Sequence, residues 1–193
     1  MMATVSEQQH RRLHPYKFTL WVGIASILMM FAGFTSAYIV KRNQSNWLEF
    51  NLPTMFWYST GVILLSSLTM YLATKAFKAR NMARYRTLIT VTAALGVLFI
   101  VLQFEGFKSV TDQGVKLFGV GSNAAGSFLG VITGVHMLHV LGGVIALLIM
   151  FFKAFSSRRK NYSSLPIEVV SIYWHFVDAL WIYLFIFYNL VSA

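Results

Sequence analysis

Five long, predominantly apolar stretches, at 18–40, 55–74, 87–107, 124–152 and 168–191, alternate with short segments that hold every lysine and arginine of the chain. A hydrocarbon core about 30 Å thick needs about 20 residues at 1.5 Å of helix rise each, so each stretch is long enough to span it. None shows the period-two alternation that a membrane barrel strand requires. The pattern predicts an all-α integral membrane protein: a bundle of five transmembrane helices forming one membrane domain over 18–193, behind an N-terminal arm at 1–17. The first stretch is longer than the apolar region of a cleaved signal peptide, about 7–15 residues, and is expected to stay in the mature chain. The fourth, at 29 residues, exceeds the bilayer's need and is expected to tilt or to project past one surface.

Five crossings put the termini on opposite sides, and the short loops give the direction. Arg11, Arg12 and Lys17, then Lys75, Lys78, Arg80, Arg84 and Arg86, then Lys153, Arg158, Arg159 and Lys160 place twelve basic residues on the N-terminal side, against Lys41, Arg42, Lys108 and Lys116 on the other. The positive-inside rule therefore predicts a cytoplasmic N-terminus and a periplasmic Ala193. At 57% hydrophobic and 11% charged, the chain is far from the quarter or so of charged residues in soluble domains. Its net charge of +10 thus reads as topology, and no nucleic-acid partner is expected. The absence of cysteine excludes disulfides, thiolate metal sites and iron–sulfur clusters. Tyr38, Trp47, Trp57, Tyr71, Tyr162 and Tyr188 lie near span ends, where amphipathic rings favour the interface.

Within the spans, the informative residues are those that lipid does not explain. Gly126, Gly130 and Gly134 recur at spacing four in the fourth span, followed by Gly142 and Gly143. Small residues on one stripe let a neighbouring backbone approach closely, so a helix-packing face is expected there. Polar groups are Gln103 and Glu105 in span three, His136 and His139 in span four, and Glu168, His175 and Asp178 at offsets of seven and three in span five. Such groups are costly in hydrocarbon and are expected to face protein and pair with one another, structural pairing being the favoured role of the polar stripe and proton conduction the other. His175 with Asp178 is the expected intrahelical pair, with contacts from His136 or His139 to the same stripe next. A bis-His haem would need His136 or His139 to face His175 across two helices; no metal, haem or catalytic group is expected in this chain.

The spelling of the last two spans adds a resemblance. Thr133-Gly134-Val135-His136-Met137-Leu138-His139-Val140-Leu141-Gly142-Gly143 resembles the Gly-x-His-x-x-His-Val-x-x-Gly helix of haem–copper (cytochrome c) oxidase subunit III. Glu168 followed by Tyr173-Trp174-His175-Phe176-Val177-Asp178-Ala179-Leu180-Trp181 is similar to that family's closing signature, and Leu95-Gly96-Val97-Leu98-Phe99 with Gln103 to an earlier helix. Mitochondrial-type members have seven helices, the first two forming one arm of a V-shaped cleft that holds phospholipid; five helices resemble a short bacterial form starting at the family's third. Glu105 stands two residues after Gln103, where the family's intramembrane Glu stands three after.

The resemblance implies an accessory core subunit of a proton-pumping terminal oxidase in a bacterial inner membrane. It implies a main contact with subunit I, further contacts with subunits II and IV, support of proton uptake at subunit I, and bound phospholipid. It also implies that haem and copper sit in partner subunits. Two other readings stand beside it: a haem-bearing membrane anchor of a quinone oxidoreductase, and a small transporter. The transporter would show an internal repeat and broken helices, neither of which is evident.

Overall fold

A computed structural model describes residues 15–42, 52–115, 117, 119, 122–155 and 164–192. The arm over 1–14, Trp47, Lys116, the basic group at 158–160, Tyr162 and Ala193 lie outside the described residues. Regular structure among the described residues is wholly helical: α1 (Pro15–Arg42), α2 (Met55–Lys78), α3 (Met82–Asp112), α4 (Ala124–Phe155) and α5 (Leu165–Ser192). Each apolar stretch lies inside one helix, and all five are long and apolar enough to cross a membrane.

Local chemistry sets where these helices start and stop. Pro15 opens α1, at the position where a missing N–H is least costly. Between α2 and α3 only Ala79–Asn81 intervene. The Arg80 N–H donates to the Phe77 carbonyl and the Asn81 N–H to that of Ala76, both at 3.0 Å, the two reverse bonds of a Schellman stop. That stop needs a left-handed residue, and Arg80 supplies it at φ 57° where glycine is usual. Asn81 then caps α3 by accepting the Arg84 N–H at 3.2 Å, and Asn123 accepts the Ala125 N–H at 2.9 Å at the start of α4.

The tight turn makes α2 and α3 an antiparallel hairpin with the most extensive contact in the molecule. Around it, α2, α3, α4 and α5 close into a ring, each helix packing on two neighbours, and α1 lies outside against α4 and α5 alone. At the centre Trp174, Trp181, Phe99, Leu129 and Ile63 are almost wholly buried.

Backbones approach most closely around one indole. A Cβ added at Gly143 would stand 2.9 Å from Cε3 and Cζ3 of Trp174, and one added at Gly96 would stand 2.9 Å from the adjoining Cη2 of the same ring. Trp174 of α5 is thus wedged between α3 and α4 through two glycines. This corrects the expected packing stripe. Gly126 and Gly130 are buried, but a Cβ at Gly134 would meet nothing within 4 Å and one at Gly142 makes only ordinary contact, 3.8 Å from the Tyr173 hydroxyl. A second correction concerns the aromatic belt: Tyr38 of α1 and Tyr188 of α5 are buried where α1 packs on α4 and α5, against the half-buried Phe128 and Phe187, whereas Trp57 and Tyr71 do face outwards.

Gly143→Ala should therefore lower the thermal stability of the detergent-solubilised subunit, by about 1–3 kcal/mol as for other overpacked cores. Gly134→Ala should be neutral or slightly stabilising, since alanine is the better helix former. Equal melting temperatures for the two variants would mean that Trp174 is not clamped.

Candidate functional site

Helix α2 carries small hydroxyl residues at Ser59, Thr60, Ser66, Ser67 and Thr69. Ser59 and Ser66, like Thr60 and Ser67, are seven apart, two helical turns, so each pair lies along one line of the helix. Trp174 and Trp181 of α5 have the same spacing, and they meet those lines: the Trp174 indole N–H donates to Ser66 Oγ at 3.1 Å and that of Trp181 to Thr60 Oγ1 at 3.0 Å. Beside the Ser66 rung, Ser67 Oγ lies 2.7 Å from His175 Nδ1. On the α3 side Gln103 Nε2 donates to Ser59 Oγ at 3.0 Å, and the Thr69 and Thr92 hydroxyls pair at 2.9 Å. One helix thus hydrogen-bonds both its neighbours through side chains that cost little space.

The expected His175–Asp178 pair does not form. His175 turns to Ser67, while Asp178, 2% exposed, has no hydrogen bond of good geometry to either carboxyl oxygen among the described residues. Ser67 also lies beside the Asp178 carboxyl. The reason is stereochemical: an i, i+3 pair on a helix need not point at each other when a hydroxyl on the facing helix stands within reach of one of them.

The span-four histidines do not join that stripe either. The His136 ring stacks on Trp181 with centroids 5.4 Å apart and is met edge-on by Phe31 and Phe99, each 6.3 Å away. Both its nitrogens are buried without a described hydrogen-bond partner. His139 holds its own helix instead, with Nδ1 2.8 Å from the Val135 carbonyl, and lies against Phe31 of α1 at 6.0 Å. The contact between α4 and α5 here runs through rings and through the Tyr173 hydroxyl, which donates to the His139 carbonyl at 3.1 Å.

Glu168 closes the bundle at one end. Its carboxylate takes Lys17 Nζ of α1 at 2.7 Å and Lys78 Nζ of α2 at 3.1 Å, in the first turn of α5, where the helix dipole also favours a negative charge. Glu105 and Gln103 part company: Gln103 is buried, and Glu105 faces outwards to Lys108 at 2.7 Å, as two positions a little over half a turn apart must. The three membrane imidazoles turn to different neighbours, His136 to the centre, His139 to α1 and His175 to α2. Two axial haem ligands that face one another are not among them. Among the described residues no group of three or more His, Cys, Asp or Glu could hold a metal ion.

The α2 hydroxyls and the two tryptophans are the part of this interface that sequence reasoning passed over. Serine and threonine within apolar runs read as neutral; the signal was the seven-residue repeat shared by the hydroxyls and the indoles.

Comparison with known proteins adds the family context. Residues 45–192, which take in α2 to α5, match the family model described as cytochrome c oxidase subunit III. A probable cytochrome c oxidase subunit 3 of Nocardia farcinica is 32% identical over 170 residues, covering 85% of this chain and 82% of that protein. The cytochrome c oxidase subunit 3 of Corynebacterium diphtheriae is 30% identical over 173 residues, covering 86% and 82%. A cytochrome bo(3) ubiquinol oxidase subunit 3 of Buchnera aphidicola is 28% identical over 181 residues, covering 91% and 86%.

The ion-pair clamp has a simple test. Glu168→Gln should destabilise the solubilised subunit by about 1 kcal/mol or less, the range of partly exposed pairs, and salt near 1 M should bring parent and variant together by screening. A salt-independent difference would assign the effect to packing.

Proposed function

The chain belongs to the cytochrome c oxidase subunit III family, and on that premise we propose how it serves its complex. It is a subunit III, part of an oxidase complex, and a multi-pass protein of a bacterial membrane. In our reading it is an accessory scaffold: it packs on subunit I, with subunits II and IV as further neighbours, and supports proton uptake and working lifetime there. Haem and copper reside in the partner chains, where the cofactors supply oxygen reduction and coupled proton translocation, and this chain does no chemistry itself. The arm and the basic loops face the cytoplasm and the C-terminus the periplasm, and phospholipid covers the apolar exterior left by the partners.

One observation carries the reading. The polar side chains of the spans are used for helix-to-helix bonds and for a stacked, enclosed imidazole, the use that supports assembly in a solvent without water. The divergent histidines favour this over a haem-bearing quinone-oxidoreductase anchor, which needs imidazoles from two helices converging on one plane.

Asp178→Asn separates scaffold from proton conductor. It keeps the shape beside Ser67 and removes the titratable proton. Scaffolding predicts reduced retention of the subunit in the purified complex with initial oxygen consumption unchanged. An assembled complex that is slow from the first turnover would overturn the reading. Orientation is read independently by reporter fusions: one after Ala193 should report the periplasm and one within 75–86 the cytoplasm, and the reverse pattern would invert the assignment.

A further inference from the structure

His175 is the place where the internal polar network reaches the outside of the bundle. It lies ten residues into α5, and Ser67 twelve residues into α2, so both stand about 15–18 Å along their helices, near the middle of a hydrocarbon core. The imidazole is only half-buried. Its Nδ1 is taken by Ser67 at 2.7 Å, and among the described residues nothing bonds its Nε2. The other half-buried imidazole, His139, is turned under α1 against Phe31. An imidazole edge facing acyl chains at mid-depth lacks the partner that polar side chains in membranes ordinarily find on a neighbouring helix.

The surroundings of that edge suit a helix. Leu64, Ser67 and Tyr71 share one line of α2, and Ile172, His175 and Ala179 one line of α5, at spacings of three and four. Leu64 is half exposed and Tyr71 more than half, and Ala179 is exposed too. Ala179 leaves the imidazole open to close approach, and Tyr71 offers a second hydroxyl one turn from Ser67. On the opposite wall the exposed side chains of α3 and α4 at comparable depth are Val97, Leu98, Val101, Leu138, Leu141 and Ile145, which match lipid as they stand.

We infer that the α2/α5 face centred on His175 is the surface that docks subunit I, through a transmembrane helix of that partner carrying a hydrogen-bonding side chain opposite Nε2. The inference rests on the subunit III reading and adds to it the face and the residue. Ser67 and Asp178 act behind the interface: Ser67 fixes the ring's orientation, and the buried carboxyl stands beside Ser67.

The test uses the assembled complex. With a photo-crosslinking residue at Leu64, illumination should give an adduct with subunit I identified by mass, and the same residue at Ile145 should not. Ala179→Leu should weaken retention of the subunit about threefold, the scale of one lost interhelical bond in a membrane, while leaving the melting of the isolated subunit unchanged. His175→Ala should weaken retention as much, and His175→Asn should restore part of it. An intact complex in which Leu64 gives no adduct with subunit I, or Ile145 gives the stronger one, overturns the assignment of this face alone. Unmodified protein that co-purifies with no oxidase subunit overturns the inference together with the family-based reading.

Discussion

Hydrocarbon offers no water to a polar side chain, and the organisation of this bundle follows from how its few polar groups are answered. Serine and threonine on α2 answer two indoles, one imidazole and one carboxamide from its neighbours. Each bond is worth only about 0.6 kcal/mol on average in such a setting, too little to hold a helix alone. Their joint effect is on register. The hydroxyls and the tryptophans repeat at the same interval, so sliding α5 along α2 by one turn would leave several donors unanswered at once.

Register on one side then dictates packing on the other. With α5 fixed against α2, the six-membered ring of Trp174 is delivered against both Gly96 and Gly143, so its position limits how closely α3 and α4 may approach α5. Trp181, bonded at its edge to Thr60, presents its face to His136. An imidazole enclosed by Phe31, Phe99 and Trp181 is accommodated by ring-to-ring contact where no hydrogen bond from the described residues reaches it. The same two tryptophans therefore serve as donors towards α2 and as apolar surfaces towards α3 and α4.

Much of this was legible before any coordinates. Apolar length and the placement of lysines and arginines gave five helices, and the runs around His136 and His175 gave the family. What eluded the sequence was direction. Helical spacing puts Asp178 and His175 on one stripe but does not say which of them a hydroxyl on another helix will claim. Likewise glycines at spacing four mark a smooth surface without saying what lies on it: Gly134 is open in this chain, while Gly96, inconspicuous as a single glycine, accepts the edge of an indole. Tyr38 and Tyr188 stand near span ends in the sequence, yet both are buried where α1 packs on α4 and α5. In each case the missing information was the identity of the neighbour, which only tertiary contact supplies.

The position of α1 bears on how the protein is made. Of the five helices this one is made before the others, yet among the described elements it packs on α4 and α5 alone, and its ion pair joins residues separated by 151 positions. At synthesis rates of about 5–20 residues per second, about 8–30 s pass between the making of Lys17 and that of Glu168, its ion-pair partner on α5. Meanwhile the α2–α3 hairpin can close on its own short turn. Among these five helices, assembly thus runs from the α2–α3 hairpin outwards, with α5 following the other four and gathering them, and an insertion factor that shelters a lone span would find its natural client in α1.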